Sequence, residues 1–239
     1  MLKIQLIRHA KTNGNILKRY IGTTDEPLSE EGINMLLKKS YKQPDILITT
    51  PLLRCIQTCK ILFPKVKPYI IDDLKECDFG LFENKNYIEL KDNKAYKDWI
   101  ASDGKMPFPN GESRYEVKQR TLRGFFLALQ IAKKKHSTKD KNIYITFVVH
   151  GGTIMHLLES FAEKEEQKSF YDWQIENACG YEADIKDSFG KDWKYLKISV
   201  SNFSCVRSKI LKKDKVSMLS CKEKYKLYHI KKIGNCETM

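Results

Sequence analysis

An α/β sheet with helices on its faces is the fold class the chain predicts, and three observations predict it. Strand-like and helix-like runs alternate through the first half. Two largely apolar runs, Leu2 to Ile7 and Ile143 to Val149, have the length of strands. At 239 residues with 41% hydrophobic and 11% aromatic content, the chain can bury one large core, so one catalytic domain with appendages is expected.

The elements follow in order. Leu2 to Ile7 is the first strand, followed by a polar loop with Asn13, Gly14 and Asn15 and by the turn-rich Gly22 to Pro27. Ser29 caps a helix whose first turn is acidic, Glu30 and Glu31, and whose body runs toward Lys42. Asp45 to Thr49 is a short strand. Thr50 and Pro51 then read as a helix start, threonine as cap and proline at the first turn, with Arg54 in the opening turn of Leu52 to Phe63. Val66 to Ile71 is the next strand, closing on Asp72 to Glu76.

Residues 84–111 are polar and punctuated by Pro and Gly, which predicts an insertion or lid with a helix over Tyr87 to Ile100. Glu112 to Lys135 carries the longest helical pattern, with Val117, Leu122, Phe125, Phe126 and Leu129 on its apolar face. The strand ending at His150 and a helix over Thr153 to Ala162 come next. Gly180 to Ile185 and Tyr195 to Val200, separated by turn residues, are expected to pair as an antiparallel hairpin. The catalytic domain is placed at 1–203, with a basic C-terminal extension at 204–239.

Composition narrows the function classes. No apolar stretch approaches the roughly 18 residues of a membrane span, and Met1 runs directly into a strand with no leader, so a soluble, cytoplasmic protein is expected. Seven cysteines without C-x-x-C spacing indicate neither a zinc site nor a closed disulfide set, and reduced thiols are expected. The net charge of +13 is concentrated in the last 36 residues, where ten Lys/Arg face Asp214, Glu223 and Glu237. Such a surface attracts phosphorylated small molecules, and any nucleic-acid contact would come from the tail alone.

Two histidines end the two apolar runs: Arg8 and His9 close the first, and His150 closes the second, followed by Gly151 and Gly152. A single histidine in such a place is more often a packing residue. Two of them at strand ends, with arginines, fit the demands of phosphate-ester hydrolysis, which needs cations for the equatorial oxygens, an in-line nucleophile and an acid for the leaving oxygen. His9 is the candidate nucleophile, and Arg8 and Arg54 are planar forks for phosphate oxygens. His150, Asn15 and the Gly151 backbone add hydrogen bonds. Glu76 lies just past a strand end as the candidate acid, with Glu83 as competitor, and spacing does not choose between them.

By these residues the chain resembles the histidine phosphatase superfamily, which has a phosphoglycerate mutase-like fold. The opening signature reads Arg8, His9, Ala10, Lys11, Thr12, Asn13, Gly14, Asn15. The segments Arg19 to Asp25, Thr49 to Arg54 with Gln57 and Thr58, Asp73 to Glu76 through Gly80 and Glu83, Pro109 to Ser113, and Val148 to Gly152 complete the match, over about residues 1–200.

The resemblance implies a central, mostly parallel sheet with a helical insertion over the active site. It also implies a phosphohistidine on His9, phosphate held by Arg8, Asn15, Arg54, His150 and Gly151, and Glu76 as proton donor and then acceptor. Ile21, Gly22 and Glu83 fall to substrate binding by the same match, and no metal or organic cofactor is implied. Ala10 stands where the family usually has glycine, which would be strained if the position needed positive φ, and Lys11 stands where an acidic residue is common.

The Pro109 to Ser113 motif looks most like the α-ribazole phosphatase and broad-specificity phosphatase branch. The expected partner is a small phosphorylated metabolite, α-ribazole 5'-phosphate being one candidate. A phosphoglycerate mutase is the second reading and a non-catalytic phosphate- or nucleic-acid-binding protein the third, and a homodimer stays open beside a monomer.

Overall fold

A mixed sheet is built from β1 (Leu2–Arg8), β2 (Ile46–Thr49), β3 (Tyr69–Ile70), β4 (Ile143–Val149), β5 (Gly180–Ile185) and β6 (Leu227–Ile233), in the spatial order β3-β2-β4-β1-β5-β6. The computed structural model describes residues 2–135, 143–162 and 168–185, together with the backbone of 227–233. β1, β2, β3 and β4 run parallel, and β5 and β6 extend the sheet antiparallel. The sheet is therefore mostly parallel through its centre. β1 and β4 are neighbours in register, with Arg8 opposite Val149, so the residues that follow, His9 and His150, emerge side by side at the carboxyl end. Open α/β sheets place their ligand sites at such carboxyl ends.

Strand alternation divides the core between two faces. Ile4, Leu6, Ile46, Ile48, Ile145 and Phe147 turn toward α6 (Arg114–Lys135) and α7 (Gly151–Phe161), where Phe125 lies 5.1 Å from Phe161 and 5.5 Å from Phe147 between ring centroids. Ile7, Leu47 and Val148 turn the other way, onto Cys55, Cys59 and Phe63 at α3 (Leu53–Leu62). After a single turn, α1 (Asn13–Ile16), α2 (Glu30–Leu37) packs beside α3 through Leu36, against Ala10, Leu28 and Ala178. Its cap is Ser29, whose Oγ accepts from the Gly32 amide at 3.0 Å, as the sequence predicts.

The insertion has a small core of its own. Phe82, Leu90, Tyr96 and Trp99 are buried together, with Tyr20, Phe79 and Phe108 packed against them, and Trp99 stacks on Phe108 at 4.8 Å. One helix over 87–100 was the expectation. The chain instead forms α4 (Tyr87–Leu90) and α5 (Lys94–Ala101), because Asn93 turns its Oδ1 onto the Tyr96 amide and caps a new helix.

Other boundaries also differ from the sequence reading. Thr50 does not cap α3: the cap residue is Leu52, without a side-chain bond, and the Leu53 amide is taken by Asp25 Oδ1 at 2.6 Å. Thr50 spends its hydroxyl on His150 instead. The strand expected over 66–71 shrinks to Tyr69–Ile70, because Pro64 and Pro68 flank the residues just before it. α6 begins two residues later than expected, at Arg114. β5 forms where predicted, between β1 and an antiparallel partner from the C-terminal extension, Leu227–Ile233; Tyr195 to Val200 lies outside the described residues.

Among the described residues no helix is long and apolar enough to cross a membrane. Among the described residues Cys55, Cys59 and Cys77 are buried free thiols.

Candidate active site

The site starts where β1 stops. The His9 amide still pairs with Val149 O at 2.9 Å, so its backbone is anchored to β4, and its side chain is buried. Nδ1 lies 2.8 Å from Ala10 O. A carbonyl can only accept, so Nδ1 carries the proton and Nε2 keeps its lone pair. The Ala10 amide donates to Thr58 Oγ1 at 3.1 Å, and residue 10 is not among the positive-φ positions, so alanine sits there without backbone strain. Lys11 reaches back to Glu31 at 2.5 Å, which neutralises the charge it adds.

Two arginines flank the imidazole. Arg8 donates through Nη1 to Ile175 O at 2.7 Å, and the Cβ position at Gly151 lies 3.4 Å from its Nε. Arg54 is fully buried: Nη1 donates to Thr24 O at 2.7 Å, and Nη2 donates to Gly22 O at 2.8 Å and Ile21 O at 3.4 Å. In both side chains Nε is buried and makes no hydrogen bond within the protein. Two desolvated guanidinium groups beside the imidazole give this end of the sheet a positive character that suits an anion.

Asn15 is held by its oxygen. Oδ1 accepts from Asn177 Nδ2 at 3.1 Å and from the Thr12 amide at 3.3 Å, so Nδ2 is the end left to donate outward. Asn177 also donates to His9 O at 3.0 Å, tying Asn15 to the backbone of His9. Sequence reading missed Asn177. Its signal was slight, a polar residue just before β5 that passes for a turn former.

His150 lies 5.2 Å from His9 between ring centroids, edge to face. Thr50 Oγ1 at 3.0 Å from Nε2 fixes its orientation, and Cys55 Sγ approaches at 3.5 Å. Burial holds both imidazoles well below their ordinary pKa, and the charges of Arg54 and Arg8 push them further down. Both rings are therefore neutral at pH 7, which keeps a nucleophilic nitrogen available beside two cations.

The two candidate acids have different surroundings. Glu76 Oε2 accepts from the Gly152 amide at 3.1 Å and Oε1 from the Cys77 amide at 2.9 Å, at the amino end of α7. A Cβ at 152 would stand 2.3 Å from Glu76 Oε1, so a side chain there would displace the carboxyl group from its present place. Glu83 Oε1 instead accepts from the Gly22 amide at 2.7 Å and the Thr24 amide at 2.9 Å, stapling the 22–24 loop whose carbonyls hold Arg54. A Cβ at Gly22 would lie 1.8 Å from Cys77 O, so this loop sits directly on the acid-bearing segment. Ile21 turns its buried side chain onto Gly14 and offers its carbonyl to Arg54.

The structure thus gathers Arg8, His9, Asn15, Arg54, His150, Gly151 and Glu76 around one end of the sheet, with Ile21, Gly22 and Glu83 forming the loop beside them. This arrangement can bind a dianion on buried donors, present a neutral imidazole nitrogen, and offer a carboxyl group at its edge.

Comparison with known proteins bears directly on this geometry. The model of the histidine phosphatase superfamily, branch 1, matches residues 4–196. The chain belongs to the histidine phosphatase superfamily. Among curated relatives of this superfamily member, an uncharacterised phosphatase, PhoE, of Bacillus subtilis is 28% identical over 186 residues, covering 75% of this chain and 86% of that protein. A probable phosphoglycerate mutase, GpmB, of Proteus mirabilis is 30% identical over 132 residues, covering 50% of this chain and 60% of its own length. The crystal structure of a putative α-ribazole-5'-phosphate phosphatase of Escherichia coli superposes with a TM-score of 0.62 at 22% identity, covering 79% of this chain and 92% of that one, a likeness of fold.

Proposed function

We propose that this histidine phosphatase superfamily member is a phosphomonoesterase that works through a phosphohistidine on His9 and acts on a small phosphorylated metabolite. The observation that carries the reading is the pair of buried Nε donors of Arg8 and Arg54 beside an imidazole whose Nδ1 is already committed to Ala10 O. In the first step His9 Nε2 attacks phosphorus, the N–P bond forms as the ester P–O bond breaks, and Glu76 gives its proton to the leaving oxygen. In the second, water attacks phosphorus, Glu76 takes the proton, the N–P bond breaks and inorganic phosphate leaves. Arg8, Arg54, Asn15, His150 and the Gly151 backbone hold the phosphoryl oxygens in both steps, a role of electrostatic stabilisation that costs no reorganisation during the reaction.

The 84–111 insertion and the 21–24 loop border the leaving-group side in this reading. α-Ribazole 5'-phosphate is the first substrate to test, given the fold likeness to α-ribazole phosphatases. A mutase is the second reading, favoured by the relatives named as phosphoglycerate mutases. A panel of α-ribazole 5'-phosphate, phosphoglycerates and sugar phosphates distinguishes them. Net release of inorganic phosphate supports the phosphatase. Transfer between glycerate positions without net release supports the mutase, and turnover of none of them contradicts both.

A further inference from the structure

The acid-bearing segment is gripped by a side chain that lies outside the site described above. Arg120, in α6, has a side chain only 12% exposed, and its guanidinium makes five hydrogen bonds. Nε and Nη2 take the two oxygens of Glu112, each at 2.6 Å. The remaining bonds all go to the backbone around Glu76: Nη1 donates to Lys75 O at 2.5 Å and Asp73 O at 3.2 Å, and Nη2 to Glu76 O at 2.8 Å. Glu112 Oε2 completes the grip by accepting from the Asp78 amide at 2.9 Å. One partly buried ion pair therefore holds three carbonyls and one amide of residues 73–78, on both sides of Glu76.

We propose that Arg120, fixed by Glu112, is a positioning residue that keeps the Glu76 carboxyl group in line with the leaving oxygen. Three carbonyls converge on one guanidinium, and without it their dipoles repel one another and the Lys75–Glu76 peptide turns away. The carboxyl group then loses its register with the Gly152 amide, which is the contact that places it at the site. Lysine cannot substitute, because a point charge cannot serve a bidentate carboxylate and three carbonyls from one plane. The inference rests on the assignment of Glu76 as the acid.

The test exploits what an acid does. A leaving group that is already stable as an anion needs little protonation, whereas a basic one depends on it. In the full-length protein, kcat/KM, which reports the steps up to the phosphoenzyme, is measured for p-nitrophenyl phosphate and for the sterically similar phenyl phosphate. Arg120→Lys is expected to lower kcat/KM for phenyl phosphate by about 100-fold while changing that for p-nitrophenyl phosphate by no more than about threefold. Glu112→Gln is expected to show the same split at smaller size and carries the test if Arg120→Lys does not fold. Equal losses on both esters would make the clamp merely structural and overturn the proposal, as would no loss on either. Wild-type protein that hydrolyses neither ester would remove the phosphatase reading itself, a result distinct from equal losses in the variants.

Discussion

At the residue scale, neighbours separate the roles of chemically identical side chains. Glu76 and Glu83 are seven positions apart in one segment, and their spacing does not say which is the acid. The structure separates them by their partners, Gly152 and Cys77 amides for one, Gly22 and Thr24 amides for the other. Glu76→Gln is therefore expected to lower kcat/KM on phenyl phosphate by about 100-fold or more, with p-nitrophenyl phosphate much less affected. Glu83→Gln is expected to act through the loop that seats Arg54, raising KM on both esters alike. A leaving-group split in Glu83→Gln rather than Glu76→Gln would reverse the assignment. Arg8, His9, Arg54 and His150 were legible in the sequence because each stands at the end of an apolar run or the opening of a helix. Asn177 and Arg120 were not, since their partners at His9 and around Glu76 are remote in the chain and no local pattern marks them.

At the scale of elements, the central strands were legible because β1 and β4 are mostly apolar, with Lys3 and Gln5 as the polar positions inside β1. Boundaries were less so, and the reason is competition for side chains. Thr50 has the chemistry of a cap but faces His150, so Asp25 serves the first amide of α3 from another loop. Asn93 has the same chemistry and does cap, which divides the insertion into α4 and α5. The partner of β5 was hidden for a different reason. Pairing with a nearby run is the usual expectation, yet β6 comes from far along the chain, and a pattern of separate runs carries no information about which of them meet.

At the scale of the whole molecule, burying imidazoles to keep them neutral makes the fold sensitive to acid. His9 and His150 are held well below the ordinary value of 6.5, and His156, packed 4.7 Å from Phe170 in the range of Arg114, Lys118 and Arg120, is pushed down to about 3. As pH falls below 6.5 the unfolded chain takes up protons that the folded state refuses, so stability is full above that value and is lost progressively toward the folded pKa values. Each buried imidazole contributes roughly 1.4 kcal/mol per pH unit within its window. The urea midpoint is expected to fall between about pH 7.5 and pH 5.5, with His156→Phe reducing the slope. An unchanged midpoint would show that these rings titrate normally in the fold.

The central claim is that phosphate passes through His9. A single turnover of radiolabelled p-nitrophenyl phosphate, quenched in alkali and digested, tests it most directly, because an N-phosphoryl histidine survives base and is lost in acid. The account predicts one labelled peptide carrying His9, discharged on acidification and absent from His9→Ala, which also fails to release phosphate. A label on another residue, or undiminished turnover in His9→Ala, would contradict it.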